Sequence, residues 1–244
     1  MTLRARTWLC AAGALGVAVL LVTAFLRMPE FGGALHAYRD LALPAAIARA
    51  TPNLVSSVNF DLRALDTLGE ETIVAAAVVG TLSLLQPSKE ERQRIEPQRG
   101  YVMPVVKLAG YLMLPVTLLL GVDVVVHGHL TPGGGFQGGV VLATGWHLLY
   151  ISGSYPALAR LRPIDWCEYA EAAATGLYVV AGLTGLVAGG AFLANVLPKG
   201  EFGSLLSAGT VPVLSVLIGI EVAAGLVVLL AQFLGQGLIR EEAS

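Results

Sequence analysis

An all-α, polytopic membrane helix bundle of about six transmembrane helices, two plus four, is the fold class that this sequence predicts, on three observations. Hydrophobic residues make up 55% and charged residues 13% of the 244, with a mean hydropathy of +0.73, which leaves too little polar surface to coat a soluble globule. Six apolar runs approach the roughly 20 residues that a hydrocarbon core of about 30 Å requires. The only long polar run, residues 86–100, separates two of them from the other four.

The first run, Trp8–Leu26, follows Arg4 and Arg6 and could also be read as a secretory signal. It is longer than a usual signal core and no small-x-small cleavage site follows, so a retained helix is expected. Residues 27–68 are too polar to cross and too apolar to be disordered. Within them Ala34–Ala50 carries apolar residues at roughly helical spacing, which fits an amphipathic helix on the outer surface or a plain loop. The second run, Thr72–Leu85, is short and borrows the amphipathic turn that begins near Leu62.

Gln86–Gly100 holds prolines at 87 and 97 with a dense set of charges and no apolar period, and reads as a cytoplasmic linker. The domains expected on this basis are a two-helix module, 1–95, with its outer-face amphipathic segment, and a four-helix module, 96–244. The four later runs are Val102–Val126, Phe136–Ser152, Ala172–Leu193 and Val211–Phe233. With the N-terminus in the cytoplasm, nine basic residues of the connections lie inside and five outside. That bias predicts a multi-pass protein of the cell (inner) membrane with both termini cytoplasmic.

Several classes of function drop out. A net charge of −2 supplies no basic stripe for nucleic acid. Cys10 and Cys167 have no metal or redox spacing, and no metal or cofactor is expected. An enzyme is disfavoured, since there is no H-E-x-x-H, nucleophile elbow or cysteine cluster.

The most informative stretch is Val126-His127-Gly128-His129-Leu130-Thr131-Pro132-Gly133-Gly134-Gly135-Phe136-Gln137-Gly138-Gly139-Val140. Gly133, Gly135 and Gly138 satisfy a dinucleotide-binding spacing, but membrane-length runs flank it where a strand and a crossover helix are needed. Two readings remain. The glycines let a neighbouring helix approach closely, or the turn lines a hydrated cavity in which His127 and His129 exchange protons.

The run 128–143, GHLTPGGGFQGGVVLA, is similar to the signature of the MnhB/MrpB family, the B-type component of Mrp-type multisubunit Na+/H+ antiporters, also found in membrane-bound hydrogenase-type complexes. Upstream, Asn59-Phe60-Asp61-Leu62-Arg63-Ala64-Leu65-Asp66-Thr67-Leu68-Gly69-Glu70 resembles a region near the end of the large A-type component of those antiporters and in the small E-type component of the hydrogenases. Together they resemble a fusion of two neighbouring components, over about residues 50–95 and 97–244. The resemblance implies a place in a large membrane assembly, with other proteins of the complex, the lipid bilayer, Na+ or another monovalent cation, and H+ as partners. It also marks Asp66 and Glu70, which otherwise sit with Glu71 as favourable helix-dipole partners.

The family commonly carries an F-D-I-G stretch in its last helix, where this chain reads Val216-Leu217-Ile218-Gly219-Ile220-Glu221, so no family role passes to Glu221. Physics singles it out instead. It lies about 16 Å along Val211–Phe233, near the midplane, where an acid costs roughly 2.5–3.5 kcal/mol against about −6 kcal/mol from the surrounding apolar residues. Its candidate partners are His147 and Lys107, the latter equally readable as snorkelling to the interface. Asp123 and His127, four apart, could pair at the outer helix end or simply be solvated there. Asp165, Glu168 and Glu171 read most simply as helix-dipole partners and stand as secondary candidates.

The expected function is that of one component of a transport complex, contributing to an ion path. Its alternative is a scaffold packed between ion-carrying neighbours.

Overall fold

A computed structural model of the chain describes residues 3–28, 36–85, 102–152 and 164–240. The polar linker at 86–100 and the basic pair Arg160 and Arg162 lie outside them. Two compact units divide the chain, Met1–Asp40 and Leu41–Ser244.

The first unit contains α1 (Leu3–Leu26), whose Trp8, Leu20 and Phe25 are all exposed. Apolar residues all round suit a helix whose solvent is lipid.

In the second unit, α2 (Ala37–Ala48, its first residues belonging to unit one) occupies the segment expected to be either amphipathic helix or loop. It ends in a left-handed Ala50, with Thr51 N–H donating to Ala46 O and Ala50 N–H to Ile47 O, a closure that satisfies the last carbonyls. Asn53 caps the single turn α3 (Leu54–Ser57), and a π-turn, Val58–Leu62, leads into α4 (Ala64–Leu85).

Four further helices complete the bundle: α5 (Pro104–Val126), α6 (Gly135–Ile151), α7 (Ile164–Gly189) and α8 (Val211–Arg240). Five helices among the described residues are long and apolar enough to cross a membrane, namely α1, α4, α5, α7 and α8. The expected sixth, α6, is 17 residues long.

α8 is the hub. It is the most buried span, and α4, α5, α6 and α7 all pack on it. Thus α4, which the sequence groups with α1, joins the bundle of the later helices. Glycine sets the closest approaches: Cβ atoms at Gly135 and Gly139 would lie 2.7 Å from Ile218 Cβ and 2.8 Å from Val222 Cβ of α8. One at Gly138 would sit 2.8 Å from Gly121 O of α5. Only hydrogen fits there.

The connections α2–α4, α5–α6 and α7–α8 meet at one end of the bundle. Asn53 Nδ2 donates to Gly128 O at 2.7 Å and to Thr131 O at 2.8 Å, and Asn195 Nδ2 donates to Asp61 Oδ2 at 3.3 Å. These three segments are the ones that the predicted crossings put on a common side.

Candidate functional site

Glu221 is 1% exposed in α8, and neither carboxylate oxygen has a hydrogen-bond partner. One turn further along the same face is Gly225, whose missing Cβ would lie 3.2 Å from Val78 and 3.4 Å from Val74 of α4, and 3.9 Å from Glu171 Cγ of α7. That contact aligns the three helices. α4 and α8 run in the same direction, because Ala64 clusters with Val211 and Leu214 while Val74 and Val78 meet Gly225.

Glu71 is three residues before Val74, as Glu221 is four before Gly225, so the two carboxylates lie at similar depth on facing helices. Glu71 is fully buried, again with both oxygens unpartnered. Glu171, buried at 6% exposure, enters at the Gly225 level, about one turn or 5 Å deeper. The antiparallel α7 is pinned to α4 two turns from Glu171, where Tyr178 O–H donates to Ala64 O at 3.1 Å.

The described side chains of α4, α7 and α8 include no Lys or Arg, and none of the ion pairs among the described residues reaches these acids. A buried carboxylate without a basic partner is tolerated when a proton or a cation meets its charge. Each of the three can exchange a proton where water or a cation reaches it.

The expected partners of Glu221 lie elsewhere. Gly139 of α6 abuts Gly219 and Val222, and His147 is eight residues on, about 12 Å deeper in the bundle. Lys107 is exposed on α5. At the clamped end, Asp123 and His127 pair at 2.9 Å with both side chains well exposed. Asp66 is exposed and ion-paired with Arg63, and with Glu70, also exposed, it lines a small cavity of about 130 Å³.

His129 is fully buried, with neither ring nitrogen hydrogen-bonded. Burial holds its pKa below the ordinary imidazole value, partly opposed by the nearby backbone of Ser204 and Leu205, with His127 adding to the depression.

The glycine motif packs. Gly128 abuts Gly134, the left-handed Gly133 and Gly134 turn the chain into α6, and Gly135, Gly138 and Gly139 seat α6 on its neighbours. Phe136 joins the core and Pro132 is exposed.

Sequence reasoning ranks Glu71 and Glu171 low, as helix-dipole partners, because the apolar runs begin at 72 and 172. The helices begin at Ala64 and Ile164, so each acid is the eighth residue of its helix and not a terminal dipole partner. The signal that could have found them is an acid every third or fourth residue ahead of an apolar run.

Residues 105–228, half of the chain, match the family described as a domain related to the MnhB subunit of Na+/H+ antiporter. The chain belongs to that family. This MnhB-related chain is 32% identical over 199 residues, 72% of its own length and 74% of the other, to an uncharacterised protein of Methanocaldococcus jannaschii. It is 31% identical over 150 residues to the A/B component of a probable K(+)/H(+) antiporter of Rhizobium meliloti, covering 50% of this chain but 15% of that protein.

Among solved structures it resembles a chain of the membrane-bound sulfane sulfur reductase, an archaeal respiratory membrane complex, with TM-score 0.73 and 28% identity, covering 94% of this chain and 98% of that one. It also resembles a chain of the Mrp complex from Dietzia sp. DQ12-45-1b, with TM-score 0.67 and 25% identity, covering 95% of this chain and 26% of that one. The likeness to an A/B-type antiporter component accords with the resemblance of the two sequence motifs to fused A-type and B-type segments.

Proposed function

We propose that this multi-pass MnhB-related protein works inside a multisubunit membrane assembly of the Mrp antiporter or related respiratory type, and that Glu71, Glu171 and Glu221 form a stretch of its proton or cation path. The reading rests chiefly on Glu221, a carboxylate near the middle of the most buried helix with no hydrogen-bond partner. Isolated acids in hydrocarbon are costly and belong to ion pathways and proton relays.

In this reading a proton passes among the three carboxylates, each holding it while the next is empty, and a monovalent cation can replace it. Glu168, one turn beyond Glu171 on α7, and His147 on α6 are the ionisable groups next deeper in the bundle, and the cavity bordered by Asp66 and Glu70 is the entry at the clamped end. The distribution of basic residues in the connections supports cytoplasmic termini.

The test is cation-dependent proton flux in vesicles containing the intact assembly. Glu221→Gln, Glu71→Gln and Glu171→Gln are each expected to lower flux at least about tenfold, the scale of losing one positioned proton carrier, with assembly intact. The glycine packing of α6 on α8 favours a second reading, a scaffold without an ion path. Unchanged flux in all three variants establishes that reading and removes the first.

A further inference from the structure

A cavity of about 350 Å³ opens where the end of α7 meets the α2–α4 connection, lined by Arg49, Asp61, Phe192, Leu193, Asn195 and Lys199 among others. By volume it has room for roughly ten water molecules at ~30 Å³ each.

Its polar wall is built rather than incidental. Arg49 stands at the end of α2, fixed by the Ala50–Thr51 closure, and pairs with Asp61 Oδ1 while its side chain stays about one-third exposed. The π-turn carries Asp61 inward, leaving its side chain 2% exposed. The second carboxylate oxygen accepts from Asn195 Nδ2, and Asn195 Oδ1 accepts from the N–H and O–H of Thr210 at 2.9 and 2.8 Å. Asp61 therefore has both oxygens engaged and is a poor cation ligand, whereas the Arg49 guanidinium keeps donors to spare.

Lys199 adds a second positive charge on the same cavity. Its carbonyl is anchored by Ala208 N–H at 2.9 Å, and its ammonium has no carboxylate partner among the described residues. Two cations against one internally satisfied carboxylate leave a net charge of +1. Phe192 and the left-handed, buried Leu193 supply an apolar wall, and a non-glycine residue held in that conformation marks a segment fixed by its surroundings. Gly189, the last residue of a membrane-length helix, also lines the cavity, which sets it at the depth of lipid headgroups.

We infer that this cavity binds a phosphate group, held by the Arg49 fork and the Lys199 ammonium, with the adjoining apolar wall suited to the glycerol end of an anionic phospholipid. Arginine and lysine together match a phosphate better than a neutral headgroup. The site is independent of the carboxylate path, and its failure would leave that path untouched.

The full chain in a non-ionic detergent is titrated with dihexanoylphosphatidylglycerol, inorganic phosphate or phosphate-free dihexanoylglycerol, and binding is followed calorimetrically. Dihexanoylphosphatidylglycerol is expected to saturate one site and dihexanoylglycerol to show none. Tighter binding of the lipid than of inorganic phosphate identifies a headgroup as the source, and equal binding identifies free phosphate. Lys199→Glu, an exposed substitution with the thermal midpoint as its folding control, should weaken phosphate binding at least about tenfold, the scale of a lost charge-assisted contact. Absence of saturation by either phosphate probe, or equal affinity in Lys199→Glu, overturns the assignment.

Discussion

The two faces of α8 are built on opposite principles. Towards α6, hydrogen atoms of Gly135 and Gly139 meet backbone and branched side chains with no room for a methyl group. Away from that seam the same helix buries Glu221, and the α4 and α7 helices packed on it bury Glu71 and Glu171, with the Glu221 and Glu71 oxygens left without partners. Close packing gains dispersion contacts along the whole interface. Buried acids give some of that stability up. A bundle that needed only to hold together gains nothing from acids opposite its tightest seam, and the contrast is what the proposed ion path rests on.

The contrast breaks most directly at the glycine seam. Gly135→Val pushes a side chain into Ser215 O and Ile218, and overpacking at such a site costs about 3 kcal/mol, seen as a large fall in the thermal midpoint of the purified chain. On the other face the sign reverses. Glu221→Leu removes an unsatisfied buried carboxyl and is expected to raise stability by about 1–2 kcal/mol while lowering flux in the assembly. A fall in stability there would mean that the carboxylate is structurally paired, and the distinction between the faces would disappear.

A smaller, pH-dependent effect belongs to the clamped end. The folded-state pKa of His129 lies below 6.5 because burial disfavours the imidazolium. Below that ordinary value the unfolded chain takes up the proton more readily than the folded one. The contribution of His129 is therefore complete above 6.5 and lost as the pH falls through its folded pKa. Between about pH 7.5 and about pH 5.5 the thermal midpoint should drop, and His129→Phe should flatten that slope. An unchanged slope would show that the ring is not the group responsible.

How much of this was legible beforehand depended on the range of the interactions involved. Among the described residues the apolar runs located each membrane-length helix, because hydrocarbon selects for local composition, and the glycine motif marked the α5–α6 turn. Glu221 was found because it interrupts an apolar run. Glu71 and Glu171 ranked lower, because the polar turns that begin α4 and α7 made both acids look terminal, and helix starts are the least certain feature of a sequence. Asn53, Asp61 and Asn195 gave no sign of joining three connections, since their partners in the other connections lie 75 or more residues away.

The sequence by itself thus determined the solvent of this protein, its helices and its family likeness, all of which follow from side-chain hydrophobicity and short motifs read along the chain. Tertiary structure alone decided that Glu221 has neither His147 nor Lys107 as a hydrogen-bond partner, that the helices carrying Glu71 and Glu171 pack on its own, and that Arg49 and Lys199 share a cavity. Such pairings depend on helix register and rotation, which are fixed only when glycine contacts and cross-chain hydrogen bonds lock one helix against the next.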